Sequence, residues 1–391
     1  MKTNKALIFG LAAMAVTGFA SADTVIRITG SSAFRGSTHN AIGHLLNAGY
    51  TFGYTGSTLG GASQAIFKGT TTSGGVAVII KTSFSGSIAG YQAVNNGLNA
   101  NFLADGATTT TGGTGSLTGL FAEVPLIAMS DVYKETVTIP VANLQEAAIG
   151  PVGVVPFKWI ASTGSPSGLA NMTPQIAQAL FPTGTTTLST FTGAVGDLGT
   201  SVFAIGRDFD SGTRLTAFAE TGVGTSLPVF QYKPTFSGAT VASHVAWPAY
   251  SLLGLSSIAG NGGESSGGTL ADDMRYTTSA LGGFYVTYLS TGDAARALLG
   301  TGSSLTTGLG YGNAKELTYN GVTYSADAVR NGQYTFWAYE HLAFNTSASA
   351  TIKTVAENLA TQIHDTDAVT SGIILSSMNV SRSSDGGVVG Y

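Results

Sequence analysis

The sequence predicts an α/β protein of two units, and three observations carry that prediction. Short apolar runs alternate with segments of helical spacing, the order that builds a parallel sheet with helices on its faces. Several of these runs end in a Gly/Ser/Thr turn before the next helix begins, and turns at the carboxyl ends of parallel strands converge on one crevice. The chain has 391 residues, enough for two domains of ordinary size.

Composition narrows the class. Lys2 and Lys5 precede an apolar run from Ala6 to about Ala20, and Ala20-Ser21-Ala22 supplies a small-residue cleavage pattern. Residues 1–22 therefore read as a secretory signal peptide cut before Asp23. Removing 22 of 391 residues leaves 369, with Lys+Arg falling from 17 to 15 against 21 acids, a net charge near −6. That balance argues against nucleic acid and anionic membrane surfaces as partners. There is no Cys, which excludes disulfides, thiolate metal sites and a lipobox anchor. No later stretch is long and apolar enough to span a membrane. At 43% hydrophobic residues the chain is too apolar to be disordered throughout. The Gly/Thr/Ser-dominated stretches 104–119 and 259–268 are expected to be flexible surface insertions.

Taken in order, Thr24-Val25-Ile26-Arg27-Ile28 alternates as a strand. The turn Thr29-Gly30-Ser31-Ser32-Ala33-Phe34 follows, then a helix over Thr38–Ala48 with Ile42, Leu45 and Leu46 on one side. The same order recurs in Val76–Ile80, Ser83–Ser87 and Ile88–Val94, and a third apolar run, Val124–Met129, ends in Ser130-Asp131. Pro151–Ala161 is a long β-rich run able to pass between units. Thr173 as N-cap with Pro174 at the first helical position starts a helix within Leu169–Phe181. Phe284–Leu289 and Tyr319–Tyr324 read as strands of the second unit. Tyr334–Tyr339 reads as a strand returning to the first, and Ala350–Ile363 as an amphipathic closing helix.

The segment Arg207-Asp208-Phe209-Asp210-Ser211-Gly212-Thr213 organises the rest. It follows the buried run Ser201–Ile205 and leads into a helix, Arg214–Glu220, that stops at Gly222. A helix start leaves backbone N–H groups unpaired and carries partial positive charge, which suits an anion. Ser211 and Thr213 add hydroxyls, Gly212 lets the backbone come close, and Arg207 adds a planar donor fork. The same residues could instead form a surface salt-bridge cluster and a plain helix cap.

Together these segments resemble the periplasmic phosphate-binding proteins of ABC importers, members of the type II periplasmic binding protein family. Thr29–Phe34 resembles the family's opening Gly/Ser-Thr-Phe loop, Ser85–Gly90 its Gly-Ser-x-x-Gly helix start, and Ala128–Asp131 its Ala-Ser-Asp. Leu169–Phe181, ending in Gly184, resembles a family helix, and Arg207–Thr213 resembles its Arg-x-Asp-Gly-Ser-Gly-Thr. The resemblance implies a two-lobed fold, each lobe a mixed sheet flanked by helices, with residues 23–150 plus 331–391 as lobe 1 and 151–330 as lobe 2. It implies inorganic phosphate or a similar oxyanion as ligand and an ABC permease in the inner membrane as partner. It also implies a periplasmic or surface location, a monomer, no cofactor and no chemical step. The implied ligand set is the hydroxyls of Ser87 and Ser211, the Asp131 carboxylate, the Arg207 guanidinium, Gly212 and Thr213 donors, and Phe34 through its backbone N–H.

Three positions depart from the family pattern. Ala33 stands where the family has Thr, leaving Ser32 as the substitute hydroxyl; Phe209 replaces an Asp, and Asp210 replaces a Gly. An extra carboxylate beside an anion weakens binding unless it turns away or pairs with Arg207 or Arg214. A cell-surface structural protein reusing the fold is the alternative of a different class. Gly263-Glu264-Ser265-Ser266-Gly267 fits the hydrolase pattern G-x-S-x-G but lacks a preceding apolar strand. His39 and His44, five apart, do not share a helix face, and His244, His341 and His364 have no companion at metal-ligand spacing.

Overall fold

The computed structural model describes residues 23–249, 258–298 and 313–391. The expected signal peptide lies outside them. Strand β1 (Thr24–Gly30) leads to helix α1 (Arg35–Leu45), β2 (Thr51–Tyr54), β3 (Gln64–Thr70), β4 (Ala77–Phe84) and α2 (Ser87–Asn96). A side hairpin, β5 (Ala100–Leu103) with β6 (Leu120–Glu123), precedes β7 (Ile127–Ser130) and β8 (Leu144–Glu146). Then come β9 (Gly153–Ala161), β10 (Asn171–Met172), α3 (Pro174–Leu180), β11 (Thr185–Thr187), α4 (Ser189–Thr192), β12 (Ser201–Ala204) and α5 (Gly212–Thr221). A second hairpin, β13 (Tyr232–Ser237) with β14 (Thr240–Ala246), is followed by α6 (Gly267–Asp273), β15 (Gly283–Ser290) and α7 (Thr291–Leu298). The chain closes with β16 (Lys315–Tyr319), α8 (Ala326–Arg330), β17 (Trp337–Asn345) and α9 (Ala350–Asp365).

The strands form a continuous mixed sheet in the order β11-β12-β15-β9-β17-β7-β1-β4-β3-β2. On one side β1 runs parallel to β4 and β7; on the other β12 runs parallel to β15. Two long strands join these halves. Trp337–Glu340 of β17 pairs with Gly153–Pro156 of β9, while His341–Phe344 continues along β7 and Phe157–Ala161 of β9 along β15. Each of the two therefore serves both halves. Their side chains alternate into a core that crosses the junction, with Trp159 stacked on Phe336 at 5.0 Å between ring centres.

Several elements form for the reasons read in the sequence. Thr173 caps α3 by accepting from the Ile176 N–H at 3.2 Å, with Pro174 behind it. Gly222 ends α5 in the left-handed conformation, φ +67°. The closing helix turns Ile352, Val355, Leu359 and Ile363 into the core. Other boundaries differ. Helix α1 begins three residues earlier than Thr38 and stops at Leu45; the strand expected at Tyr319–Tyr324 ends at Tyr319, where Asn320 turns with φ +51°. The strand expected from Tyr334 begins at Trp337.

The stretch 259–268 is not a surface insertion. Gly260–Gly263 is buried, Glu264 donates its N–H to the Gly206 carbonyl at 2.8 Å, and Ser266 caps α6. Residues 104–119 lie along β2, where Thr110 and Thr114 bridge Phe52 and Gly53. After α9 the chain returns across both halves. Arg382 donates to the Glu220 carboxylate at 3.0 Å, while Asp385 accepts the Tyr133 N–H at 2.9 Å. No helix of the described residues is long and apolar enough to cross a membrane.

Candidate functional site

The turns after β4, β7 and β12 meet between the halves, at the carboxyl ends of the parallel strands. At their centre lies Asp131, 1% exposed. The Ser87 hydroxyl bonds to its Oδ1, Thr213 Oγ1 donates to its Oδ2 at 3.1 Å, and the Asp131 N–H donates to Ser87 Oγ at 3.1 Å. Ser87 opens α2 and Thr213 lies in the first turn of α5. The positive ends of two helices, one from each half, thus face one buried carboxylate.

Burial raises the Asp131 pKa above the ordinary carboxylate value, opposed by the hydrogen bonds from Ser87 and Thr213 and by the Arg207 charge. Glu340 lies nearby on β17, also fully buried, with neither side-chain oxygen bonded among the described residues. Burial first, then the neighbouring Asp131, raises its pKa well above normal. Nothing in its sequence context singled Glu340 out; it comes near Asp131 only because β17 passes behind that residue.

The two halves touch directly here. The Asp210 carbonyl accepts from the Ile88 N–H at 3.0 Å, so a backbone oxygen of one half caps α2 of the other. Gly86, φ +149°, permits this approach: a Cβ there would lie 2.3 Å from the Asp210 oxygen. Gly212 presses on Asp131 in the same way, since its Cβ would lie 1.8 Å from Oδ1 and 2.7 Å from Ser87 Oγ. Leu215 of α5 packs with Ile88, Tyr91 and Val132 beside these polar contacts. That apolar seam lowers the local dielectric, which strengthens each hydrogen bond next to it.

Of the residues singled out in the sequence, Ser87, Asp131, Ser211, Gly212 and Thr213 are brought together. The Ser211 hydroxyl serves as N-cap of α5, accepting from the Arg214 N–H at 3.2 Å. Arg207 is 2% exposed and near enough for its charge to act on Asp131. Its Nε and Nη2, however, donate to the carbonyls of Glu264 and Ser265 at 3.0 and 2.9 Å, so it anchors the 264–265 segment as well. Phe34 turns its ring into the core against Gly153 and Gly372. Ser32 offers its carbonyl to Arg35 Nη1 at 2.5 Å. Among the described residues no hydrogen bond joins Ser32 or Phe34 to Ser87, Asp131 or Thr213. Ala33 is buried.

Arg214 organises the 207–213 turn. It donates to the carbonyls of Arg207 and Asn261 at 3.0 and 2.9 Å and sits over the Phe209 ring at 4.7 Å. The sequence signal was present, in Phe209 and Phe218 flanking an arginine of a helix's first turn. Phe209 therefore meets this cation with its ring face. Asp208 accepts the Asp210 N–H at 3.2 Å. Asp210 is 6% exposed with an unbonded Oδ1, and burial together with the Asp208 charge pushes its pKa up to about 7.

No group of three or more His, Asp or Glu among the described residues is placed to hold a metal ion. His39 bonds to the Leu59 carbonyl and the Thr82 hydroxyl, and burial lowers its pKa to about 3, keeping it neutral. Ser265 of the G-x-S-x-G stretch lends its carbonyl to Arg207.

The sequence matches no protein-family model and no curated protein. Among solved structures the chain is similar to an ABC-type phosphate transport receptor from Vibrio cholerae, at 12% identity over 90% of this chain and 99% of that one, TM-score 0.45. It is similar to a Corynebacterium glutamicum OxyR C206 mutant at 8% identity over 90% of this chain and 68% of that one, TM-score 0.40. It is likewise similar to a putative phosphate ABC transporter substrate-binding protein with bound phosphate from Clostridium perfringens, at 12% identity over 90% of this chain and 99% of that one, TM-score 0.45.

Proposed function

We propose that this chain is a secreted two-lobed binding protein that captures phosphate or a similar oxyanion between its lobes and delivers it to an ABC permease. Lobe 1 comprises residues 23–150 and 331–391, lobe 2 residues 151–330. The supporting observation is the meeting of Ser87 and α2 from one half with Thr213 and α5 from the other around a single buried negative group. A buried anion needs its oxygens saturated with donors, and hydrogen bonds to charged groups contribute roughly 1.5–3 kcal/mol each. When the lobes part, Ser87, Ser211, Gly212, Thr213 and Arg207 offer these donors, and Asp131 accepts the proton-bearing oxygen of hydrogen phosphate. Sulfate, with no such proton, meets a carboxylate unfavourably. Binding is the whole activity, and no chemical step is assigned.

A second reading, a cell-surface protein that keeps the fold as a scaffold, is favoured by one observation. The donors of α2 are already taken by the Asp210 carbonyl, and Gly212 lies against Asp131. Titration calorimetry on the mature protein separates the two. The capture reading expects phosphate to bind near micromolar affinity, about −8 kcal/mol, and sulfate at least tenfold more weakly. No heat and no thermal shift with either ion would reject capture and leave the scaffold.

A further inference from the structure

We infer a second oxyanion site at the rim of the cleft, where a cavity of about 310 Å³ between the starts of α1 and α7 is suited to the small phosphate ester of a polyol. It goes beyond the Asp131 nest and does not depend on it. Both halves line the cavity, with Ser32, Arg35 and Ser371 on one side and Ser290, Asp293 and Arg296 on the other.

The lining carries two guanidinium groups and one carboxylate. Arg35 is 13% exposed in its side chain and donates through Nη2 to Asp293 Oδ1 at 3.1 Å across the cleft. Its Nη1 binds the Ser32 carbonyl, while its buried Nε has no partner among the described residues. Arg296 is fixed by Asp272 through Nε and Nη2 at 2.7 and 2.6 Å, which holds a second guanidinium at the cavity wall. Against these two cations the wall carries one carboxylate, Asp293, itself held by the Ser290 hydroxyl at 3.0 Å.

Size and polarity narrow the ligand. Ligand pockets run from roughly 300 to 1,000 Å³, so this one is at the small end, yet roomier than one tetrahedral ion requires. Its wall holds hydroxyls and glycines and no aromatic ring, which suits a polyol and gives a nucleobase no stacking surface. Planar guanidinium forks match phosphate oxygens, and the serine hydroxyls with Asp293 match the alcohol groups.

The test titrates glycerol 3-phosphate into the mature protein by calorimetry, using wild type, the Arg35→Gln/Arg296→Gln double variant and Thr213→Val. Binding by wild type, at least about tenfold weaker in the double variant and unchanged in Thr213→Val, is expected. Parallel titration of inorganic phosphate reads the nest, where Thr213→Val is the variant that weakens binding, so failure of either site is seen separately. No glycerol 3-phosphate binding by wild type, or equal affinity in the double variant, would overturn the proposal; so would a loss confined to Thr213→Val. Because the double variant also removes the cross-cleft ion pair, wild type is additionally labelled with an arginine-selective dicarbonyl and its peptides weighed. Glycerol 3-phosphate should protect Arg35 and Arg296, and equal labelling with and without it would also overturn the assignment.

Discussion

Trp159→Ala is expected to lower unfolding stability by about 4 kcal/mol, the middle of the range for deleting a buried aromatic side chain. Trp159 is fully buried towards the end of β9, the strand shared by both halves. Its ring stacks on Phe336 and meets Tyr288 edge-on at 5.8 Å, with Phe181 at 5.9 Å. These neighbours come from β15, the end of α3 and the approach to β17, so the hole would be walled by separate elements and no single one can collapse into it. The indole N–H has no partner among the described residues, an uncompensated cost that Phe would remove. Trp159→Phe should therefore lose less than half as much. Chemical denaturation of the three proteins checks this, and equal losses for Ala and Phe would contradict the packing account.

Asp210→Asn is expected to stabilise the protein at alkaline pH and to gain nothing in acid. In the unfolded chain this carboxyl ionises near 3.8; in the fold burial and the Asp208 charge, only partly offset by Arg207, raise it to about 7. The folded state therefore holds the proton more tightly between those values. Its stability contribution is complete below pH 3.8, falls as the pH rises towards 7, and stays low above. Asn carries no charge and escapes that loss, although its amide must be buried in the same place. The net gain at pH 8 should be about 2 kcal/mol, shrinking as the pH falls towards 4. Removing the charge beside the nest should also tighten phosphate binding at pH 8. Thermal melts of both proteins from pH 4 to 8 measure it, and a pH-independent difference would reject ionisation of Asp210 as the cause.

The parts of the fold that were legible in the sequence are those fixed by local chemistry. Thr173-Pro174 can start a helix whatever surrounds it, and Gly222 can stop one. The strand–turn–helix order around Ser87 and Arg207 likewise predicts where backbone donors gather. What was illegible depends on partners distant in sequence. The residues from Gly260 to Gly263 read as a loop because they are small and polar, yet their smallness lets the segment pack against Gly206 and Arg207. Arg207 read as a ligand-facing cation, but the approach of Glu264 and Ser265 commits two of its donors. Asp210 stood out for its carboxylate, whereas the atom that reaches the other half is its carbonyl, which any residue carries. Glu340 sits in an aromatic strand with no motif, and only the antiparallel pairing of β17 with β7 sets it behind Asp131.

The central claim is that loops remote in sequence gather their donors around one oxyanion, and a crystal structure of the mature protein grown with phosphate tests it most directly. The account predicts the ion between the α2 and α5 N-termini, bonded to Ser87, Thr213 and the Gly212 N–H, with the Asp131 carboxylate on its protonated oxygen and the Asp210 carbonyl withdrawn from Ile88. A structure from saturating phosphate in which Asp210 still caps α2 and Gly212 still lies against Asp131, with no ion between them, would contradict it.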